Sequence, residues 1–236
     1  MDDEHTPYLS GFARARISHF SDRQRPADGA CLRDGMLVRV KDGEERPVLP
    51  AAEIRLPGEH NVLNYLAAFA ATEGMVPDEI CAEVARSFGG VEHRLEIVRT
   101  LHGVTYINDS IGTSPTRTIA GLRAMRTKPI VIAGGYDKHL PFDELGDALC
   151  QLAKAVFLTG DTAEKIRSAI LASPCYAASG LPVAMEADFR SAVLAASAAA
   201  GEGDVVLFSP ACASFDHFKN FAERGRTYKS IIMELA

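Results

Sequence analysis

The sequence contains no tryptophan, no paired cysteine motif and no long apolar run. Its cysteines are odd in number and lie far apart, so we expect reduced thiols rather than a disulfide framework or a zinc site. No run approaches the roughly 18 apolar residues of a membrane helix. The amino terminus is acidic, whereas a signal peptide begins with basic residues. These absences favour a cytoplasmic protein. The five cysteines are Cys31, Cys81, Cys150, Cys175 and Cys212.

An excess of positive charge is also missing. The 25 lysines and arginines face 31 aspartates and glutamates, which gives a formal net charge of −6. This balance argues against a nucleic acid or an anionic membrane surface as a partner. The seven histidines are dispersed without metal-ligand spacing, so we expect no bound structural metal. The 236 residues suffice for one large domain or two small ones.

Several familiar catalytic and nucleotide-binding signatures are absent as well. The sequence has no GxxxxGK phosphate loop, no GxGxxG after a strand, no GxSxG nucleophile turn and no HExxH zinc motif. The function therefore has to be inferred from other residues.

The first 95 residues have the pattern of a small α+β piece. Residues 30–40 predict two short strands joined at Asp34-Gly35, which is a strong hairpin signal. Helices are predicted at residues 61–73 and 78–88, and the second would place Ile80, Val84 and Phe88 on one face. We expect part of this piece to expose an apolar patch and to self-associate.

From about residue 96 the sequence alternates between short apolar strands and helices. Strands fully apolar on both faces, separated by helices, are typical of a parallel sheet covered on both sides. We predict an α/β fold, in which a doubly wound, mostly parallel Rossmann-like domain occupies residues 96–236. The strands are predicted at residues 104–108, 130–133, 156–159, 183–185 and 205–208. The helices are predicted at residues 115–125, 142–153, 162–171, 188–200, 216–223 and 226–235.

Polar residues follow three of these strands. Asp109 and Thr113 come after the first strand, Lys138 after the second and Ser214 after the last. Ligands of open parallel sheets bind beyond the carboxyl ends of the strands, and hydroxyls with one lysine suit a carboxylate or a phosphate. Taken singly, each of these positions could be a turn former or a helix cap.

Two further pairs of candidate residues belong to the first piece. Asn61 and Asn64 are three residues apart and would share one helix face, so a common ligand is plausible, although an amino-terminal cap explains Asn61 alone. His93-Arg94 lies at the predicted domain boundary, where ligands often bind. The alternative for this pair is a solvated hinge with an ordinary ion pair to a neighbouring glutamate.

Six segments of the sequence form a recognisable set: LPGEHNVLN at 56–64, GVEHRLE at 90–96, INDS at 107–110, GGYDK at 134–138, SPACASFD at 209–216 and FKNFAERG at 218–225. Together they resemble the Mur ligase family, and the last four resemble its D-glutamate-adding members in particular. By this resemblance, residues 1–95 are the carboxy-terminal portion of the central ATPase domain, and residues 96–236 are the amino-acid-binding domain.

The resemblance implies an ATP-dependent amide ligase that uses ATP and Mg²⁺. ATP would phosphorylate the carboxylate of UDP-N-acetylmuramoyl-L-alanine, and the amine of D-glutamate would attack the acyl phosphate. No residue of this chain is assigned a catalytic step with certainty. The residues implied to bind the nucleotide are Asn61, Asn64, His93, Arg94 and Asp109. Those implied to bind D-glutamate are Thr113, Lys138, Ser214 and Phe221.

Two departures from the family pattern matter. Many members carry a lysine two residues after the aspartate, where this chain has Ile111. The family's UDP-binding domain, phosphate loop and magnesium ligands all precede the segment that this chain resembles, so we expect a full enzyme that is monomeric and a chain that is inactive alone. Two alternatives remain: a non-catalytic nucleotide- or amino-acid-binding or partner module derived from a Mur ligase, and a folylpolyglutamate-synthase-like ligase.

Overall fold

The computed structural model describes residues 2–56 and 58–236. Met1, at the acidic amino terminus, and Pro57, in the segment 56–64, lie outside the described residues. The chain divides into two compact units, Met1–Gly89 and Gly90–Ala236. The sequence placed the division after residue 95, and the first strand of the second unit begins at Glu96.

The first unit is a small sheet with two longer helices. Strand β1 pairs in parallel with β2, and β2, β3 and β4 form an antiparallel meander. The hairpin at Asp34-Gly35 is confirmed, with φ angles of 50° and 76°, because a two-residue turn of this type needs a positive φ at both positions. Its elements are α1 (Thr6–Ser10), β1 (His19–Ser21), β2 (Gly29–Arg33), β3 (Met36–Lys41), β4 (Glu44–Pro50), a 3₁₀ turn (Ala51–Glu53), α2 (Glu59–Ala71) and α3 (Asp78–Ser87).

A buried arginine joins the sheet of the first unit to its helices. Arg39 of β3 is 1% exposed and donates to the carbonyls of Phe69 and Val76 at 3.1 and 2.9 Å. Its Nη1 also donates to the Asp78 carboxylate at 2.6 Å. A buried guanidinium is tolerated only when its donors and charge are satisfied, as they are here. Arg39 therefore has a structural role.

Helix α3 exposes the face that the sequence grouped as apolar. Ile80, Val84 and Phe88 are 47%, 48% and 42% exposed, whereas the helix packs on its own sheet through small residues on the other side. The long side chains were expected to share one face, and they do. Self-association through this face stays a prediction.

The second unit is the doubly wound domain that the sequence predicted. Its sheet has the strand order β5-β6-β10-β7-β8-β9, in which β6 to β10 are parallel and only the edge strand β5 is antiparallel among the described strands. Its elements are β5 (Glu96–Leu101), β6 (Val104–Asn108), α4 (Pro115–Arg123), β7 (Ile130–Ala133), α5 (Asp143–Leu152), β8 (Ala155–Leu158), α6 (Ala163–Ala172), α7 (Tyr176–Ser179), β9 (Val183–Met185), α8 (Phe189–Ala198), β10 (Val205–Phe208) and α9 (Phe221–Glu234).

The apolar strands supply a core to each face of this sheet. Along β10, Leu207 packs into the core with α4, α5 and α6, while Val206 and Phe208 pack into the core with α8 and α9. Alternation of side chains across the pleat sends neighbours to opposite faces, so both faces need apolar residues. No helix among the described residues is long and apolar enough to span a lipid bilayer.

The carboxy-terminal helices differ from the prediction. A helix at 216–223 and another at 226–235 were expected, but a single helix, α9, runs from Phe221 to Glu234. The side chain of Asn220 accepts from the amide of Glu223 at 2.9 Å and so begins the helix there. The helix continues through Gly225, where His93 fills the space that a side chain would occupy.

Candidate functional site

The carboxyl ends of the five parallel strands lie side by side in the second unit. Strand β10 is the last in the chain, but it lies between β6 and β7. The chain therefore reverses its order at this point, and such a reversal opens a crevice beyond the strand ends. The loops that follow β6, β10 and β7 carry the polar residues singled out from the sequence.

Two of the predicted D-glutamate residues are in direct contact. The ammonium of Lys138, in the loop after β7, donates to the carbonyl oxygen of Thr113, in the loop after β6, at 3.2 Å. Lys138 is exposed and Thr113 is half-buried. The ammonium has further donors that face solvent, so an anion beside the Thr113 loop can be bound without a change of backbone.

A buried arginine joins the loop after β6 to the loop after β10. Arg224 of α9 is 2% exposed and donates to the carbonyls of Cys212, Ala213 and Ser110 at 3.0, 2.9 and 3.0 Å. Its Nε also donates to the Ser110 hydroxyl at 3.2 Å. Burial lowers the pKa of Arg224 to about 10, which still leaves it protonated at neutral pH. Arg224 thus fixes the β10 loop, in which Ser214 is buried.

Phe221, another predicted D-glutamate residue, is tied to the same network. Its carbonyl accepts from the Ser110 hydroxyl at 2.7 Å. Its ring lies edge-on to the His93 ring, with the two ring centres 6.2 Å apart. The first turn of α9 is therefore fixed against the loop after β6.

Gly134 and Gly135 permit the loops to approach closely. Their φ angles are 116° and 146°, which favour glycine. A side-chain carbon at Gly134 would lie 1.9 Å from the Thr159 carbonyl oxygen, and one at Gly135 would lie 2.4 Å from the Ala213 carbonyl oxygen. The pair is more than a tight turn, because it brings the ends of β7, β8 and β10 into contact.

Asp109 lies inside the unit rather than on its surface. It is 5% exposed, and its carboxylate accepts from the Ser209 hydroxyl at 2.7 Å and from the Leu95 amide at 3.3 Å. Burial raises the pKa of Asp109 to about 6, and these hydrogen bonds together with Arg94 and Arg117 oppose the rise. Both carboxylate oxygens are engaged within the protein in this structure.

His93 is held by Asn108, which the sequence analysis had not assigned a role. The Asn108 amide donates to Nδ1 of His93 at 2.9 Å, and its oxygen accepts from the Ser110 amide at 3.1 Å. This places the imidazole proton on Nε2, which is buried and has no hydrogen-bond partner in the described part of the chain. Burial lowers the pKa of His93. The adjacent Arg94 is exposed.

The other two predicted nucleotide residues lie in the first unit. The Asn64 side-chain amide donates to the Asn61 side-chain oxygen at 3.3 Å, so the shared helix face is confirmed. Asn61 is buried and Asn64 is exposed. The structure thus pairs Asn61 with Asn64 in one unit and places His93, Arg94 and Asp109 in the other.

One cluster has metal-ligand spacing. The ligand atoms of Glu92, His93 and Glu96 lie within 4.8 Å of one another. The ammonium of Lys229 donates to Glu92 at 3.0 Å and to Glu96 at 2.5 Å, so both carboxylates already have a cationic partner. Mg²⁺ prefers an octahedral shell of oxygens that includes several waters, so this cluster does not fit it.

Four residues that build the site had appeared only within motifs, without a role of their own: Asn108, Ser110, Ser209 and Arg224. The available signal for Asn108, Ser110 and Ser209 was that each is polar and lies at or just after the end of a buried strand. These three are buried and hydrogen-bonded in the structure.

Comparison with known proteins gives consistent matches. The family described as "Mur ligase, glutamate ligase domain" matches residues 93–212. A UDP-N-acetylmuramoylalanine–D-glutamate ligase from Acetivibrio thermocellus is 44% identical over 235 residues, covering 98% of this chain and 50% of that protein. The chain therefore spans about half the length of the curated relatives it matches.

Two solved structures have a similar fold. MurF from Acinetobacter baumannii aligns with a TM-score of 0.65 at 17% identity, covering 99% of this chain and 51% of that one. A folylpolyglutamate synthase from Mycobacterium tuberculosis, complexed with ADP, aligns with a TM-score of 0.55 at 16% identity, covering 85% and 46%. At these identities the likeness supports the fold alone.

Proposed function

The chain belongs to the Mur ligase family, through its glutamate ligase domain, and from this we propose that it binds D-glutamate for an ATP-dependent amide ligase. The reaction proposed is the addition of D-glutamate to UDP-N-acetylmuramoyl-L-alanine, in the synthesis of peptidoglycan. The 44% identity to a ligase of that name supports this assignment.

The contact between Lys138 and Thr113 is the structural observation that carries the proposal. The contact brings an ammonium from the loop after β7 next to a hydroxyl-bearing residue in the loop after β6. D-glutamate has two carboxylates, which need cationic and hydrogen-bonding partners. In the proposal Lys138 holds one carboxylate, and Thr113, Ser214 and Phe221 complete the binding site.

The proposed chemistry needs positioning rather than a new covalent group on this chain. The free amine of D-glutamate attacks the carbonyl carbon of the acyl phosphate, the C–N bond forms, inorganic phosphate leaves and the amine loses a proton. Holding the amine at the correct distance converts an encounter between two molecules into a local step. The residues that bind the D-glutamate carboxylates would fix that distance.

A nucleotide role is proposed for residues of both units. Asn61 and Asn64 supply side-chain amides in the first unit, and Arg94 supplies an exposed guanidinium in the second. His93 and Asp109 are buried and hydrogen-bonded beside Arg94, so they act in this proposal by holding the segment that bears it. Mg²⁺ is assigned to none of the residues described above.

The alternatives have less support. The folylpolyglutamate synthase is 16% identical to this chain, against 44% for the D-glutamate ligase. A non-catalytic binding module would keep the same D-glutamate site, so it differs from the proposal in turnover and not in binding.

Calorimetric titration of the purified chain with D-glutamate tests the proposal. We expect Lys138→Ala to weaken binding about tenfold, because it removes a charged hydrogen-bond donor. Lys128→Ala is the matched control, since Lys128 is exposed and precedes β7 at the opposite edge of the sheet. L-glutamate is the control ligand. Absence of D-glutamate binding, or equal binding of both enantiomers, contradicts the proposal.

A second assay separates the ligase from the binding module. It measures phosphate released from ATP in the presence of Mg²⁺, UDP-N-acetylmuramoyl-L-alanine and D-glutamate. We expect no release from the chain alone, because the family's phosphate loop precedes the segment that it matches, so the assay is run with and without the amino-terminal half of a homologous D-glutamate ligase. Release that needs both the added half and D-glutamate supports the ligase reaction. Binding of D-glutamate without release in either case supports a binding module.

A further inference from the structure

Two cationic side chains from different parts of the fold donate hydrogen bonds to the backbone of the loop after β6. Lys138 donates to the carbonyl of Thr113 at 3.2 Å from the loop after β7. Arg117, in the first turn of α4, donates to the carbonyl of Ile111 at 3.4 Å. The residues contacted are two apart in the chain, so the two cations flank a three-residue segment, 111–113.

The guanidinium of Arg117 has donors to spare. Arg117 is exposed, and its contact with Ile111 is long for a hydrogen bond. In the described part of the chain it makes no ion pair, unlike the arginines that meet a carboxylate, such as Arg46 and Arg190. A guanidinium carries five N–H donors in a planar fork, and one weak contact leaves most of them for a ligand.

Arg117 also acts on the interior of the site. It and Arg94 both stabilise the ionised carboxylate of Asp109, although burial disfavours that charge. Both guanidinium groups therefore lie close enough to the end of β6 to interact electrostatically with Asp109.

We propose that Arg117 is a second cationic binding residue of this site, which holds an anionic oxygen group of the ligand beside the group held by Lys138. This inference rests on the proposed function, because it assumes that the ligand beside residues 111–113 takes part in the D-glutamate ligase reaction. The Arg117 guanidinium lies against the backbone of Ile111, so it brings a positive charge to a position whose own side chain is apolar.

The anionic oxygen group that Arg117 binds could belong to either of two ligands. A planar fork of N–H donors matches the paired oxygens of a carboxylate and those of a phosphoryl group equally well. The second carboxylate of D-glutamate is one source. The phosphoryl group of the acyl phosphate, or the phosphate that leaves it, is the other.

Two titrations of the full chain test the inference, one with D-glutamate and one with inorganic phosphate. Binding is followed by the amide chemical shifts of Gly112 and Thr113, which report the loop itself. We expect Arg117→Ala to weaken the binding of one or both probes about tenfold. Arg123→Ala is the matched control, since Arg123 is exposed in the last turn of the same helix, and it should leave both affinities unchanged.

A rescue variant shows whether the charge itself is what matters. Ile111→Lys, introduced into the Arg117→Ala chain, places an ammonium on the residue that Arg117 contacts, and we expect it to restore most of the lost affinity. A purely structural effect of Arg117→Ala would not be reversed by this change.

The outcomes separate the two proposals. Weakening with D-glutamate alone identifies the carboxylate, and weakening with phosphate alone identifies the phosphoryl group. Unchanged affinities for both probes in Arg117→Ala overturn the inference, and they leave the proposed function standing if Lys138→Ala still weakens D-glutamate. Arg117-dependent binding of phosphate without any binding of D-glutamate supports the inference and contradicts the proposed function. A wild-type chain that binds neither probe overturns both.

Discussion

The hydroxyl of Ser209 donates a 2.7 Å hydrogen bond to the carboxylate of Asp109, and both side chains are buried where β6 and β10 end. Thr118 lies within 2.8 Å of the same hydroxyl and completes a buried polar chain. The carboxyl ends of two neighbouring strands are therefore joined by side chains as well as by the sheet. The titration of the Asp109 carboxyl should therefore depend on this hydrogen bond, and NMR can measure it.

The first prediction concerns the titration of Asp109. Burial raises its pKa from 3.8 to about 6, so the folded state holds a proton that the unfolded state has lost between these values. The stabilisation from this proton is complete below about pH 4 and is lost as the pH rises through 6. Carbon-13 NMR of the Asp109 carboxyl should give a midpoint near 6, and Ser209→Ala should move it higher, because the hydroxyl favours the ionised form.

The stability of the second unit should follow the same titration. In Asp109→Asn, the fall in unfolding free energy between pH 4 and 6 should be smaller than in the wild type, by about 2 kcal/mol. Hydrogen exchange of the β10 amides at several pH values measures this difference within the second unit. An unchanged pH profile, or a carboxyl midpoint near 4, would show that Asp109 is ionised as easily as an exposed aspartate.

The second prediction concerns Gly225 in the middle of α9. Replacing a helical glycine with alanine usually stabilises a helix by roughly 0.5–1 kcal/mol. Here the added carbon would lie 2.3 Å from Nδ1 of His93, so Gly225→Ala should destabilise the second unit by about 1–3 kcal/mol instead. Gly121→Ala in α4 is the matched control, since its nearest neighbour would be 3.4 Å away.

The readout for both glycine variants is hydrogen exchange in β10 combined with the NMR signals of the His93 ring. Gly225→Ala should lower protection and shift the ring signals, while Gly121→Ala should keep or slightly raise protection and leave the ring signals unchanged. Equal stability of the two variants would mean that His93 can leave its position at little cost.

The main elements of the second unit could be predicted because their strands are buried on both faces. An apolar run such as residues 130–133 has no polar side, and that pattern favours a parallel sheet in almost any context. Strand β5 was missed because it lies at the sheet edge and mixes charged with apolar residues. The boundary of α9 was misplaced because it depends on Asn220 as a cap and on His93, which is distant in sequence.

The site was predictable only in part, for a related reason. Thr113 and Lys138 were found because they follow strands, and the sheet order brings those loops together. Arg224 could not be distinguished from an ordinary helix arginine, since its partners are backbone carbonyls that carry no mark in the sequence. The ligand roles came from the family resemblance, and they stay predictions.

The last prediction tests Arg224 as the residue that fixes the β6 and β10 loops. Arg224→Lys keeps the charge, but an ammonium cannot reach the Ser110, Cys212 and Ala213 carbonyls together. Buried carbonyls left without donors each cost about 1–3 kcal/mol, so we expect the second unit to lose at least about 2 kcal/mol of unfolding free energy. Arg226→Lys, an exposed neighbour in the same helix, should change it by less than about 0.5 kcal/mol. D-glutamate affinity should fall in Arg224→Lys alone, because the loop bearing Ser214 is no longer fixed. If both variants are equally stable and bind D-glutamate equally well, Arg224 does not organise the site.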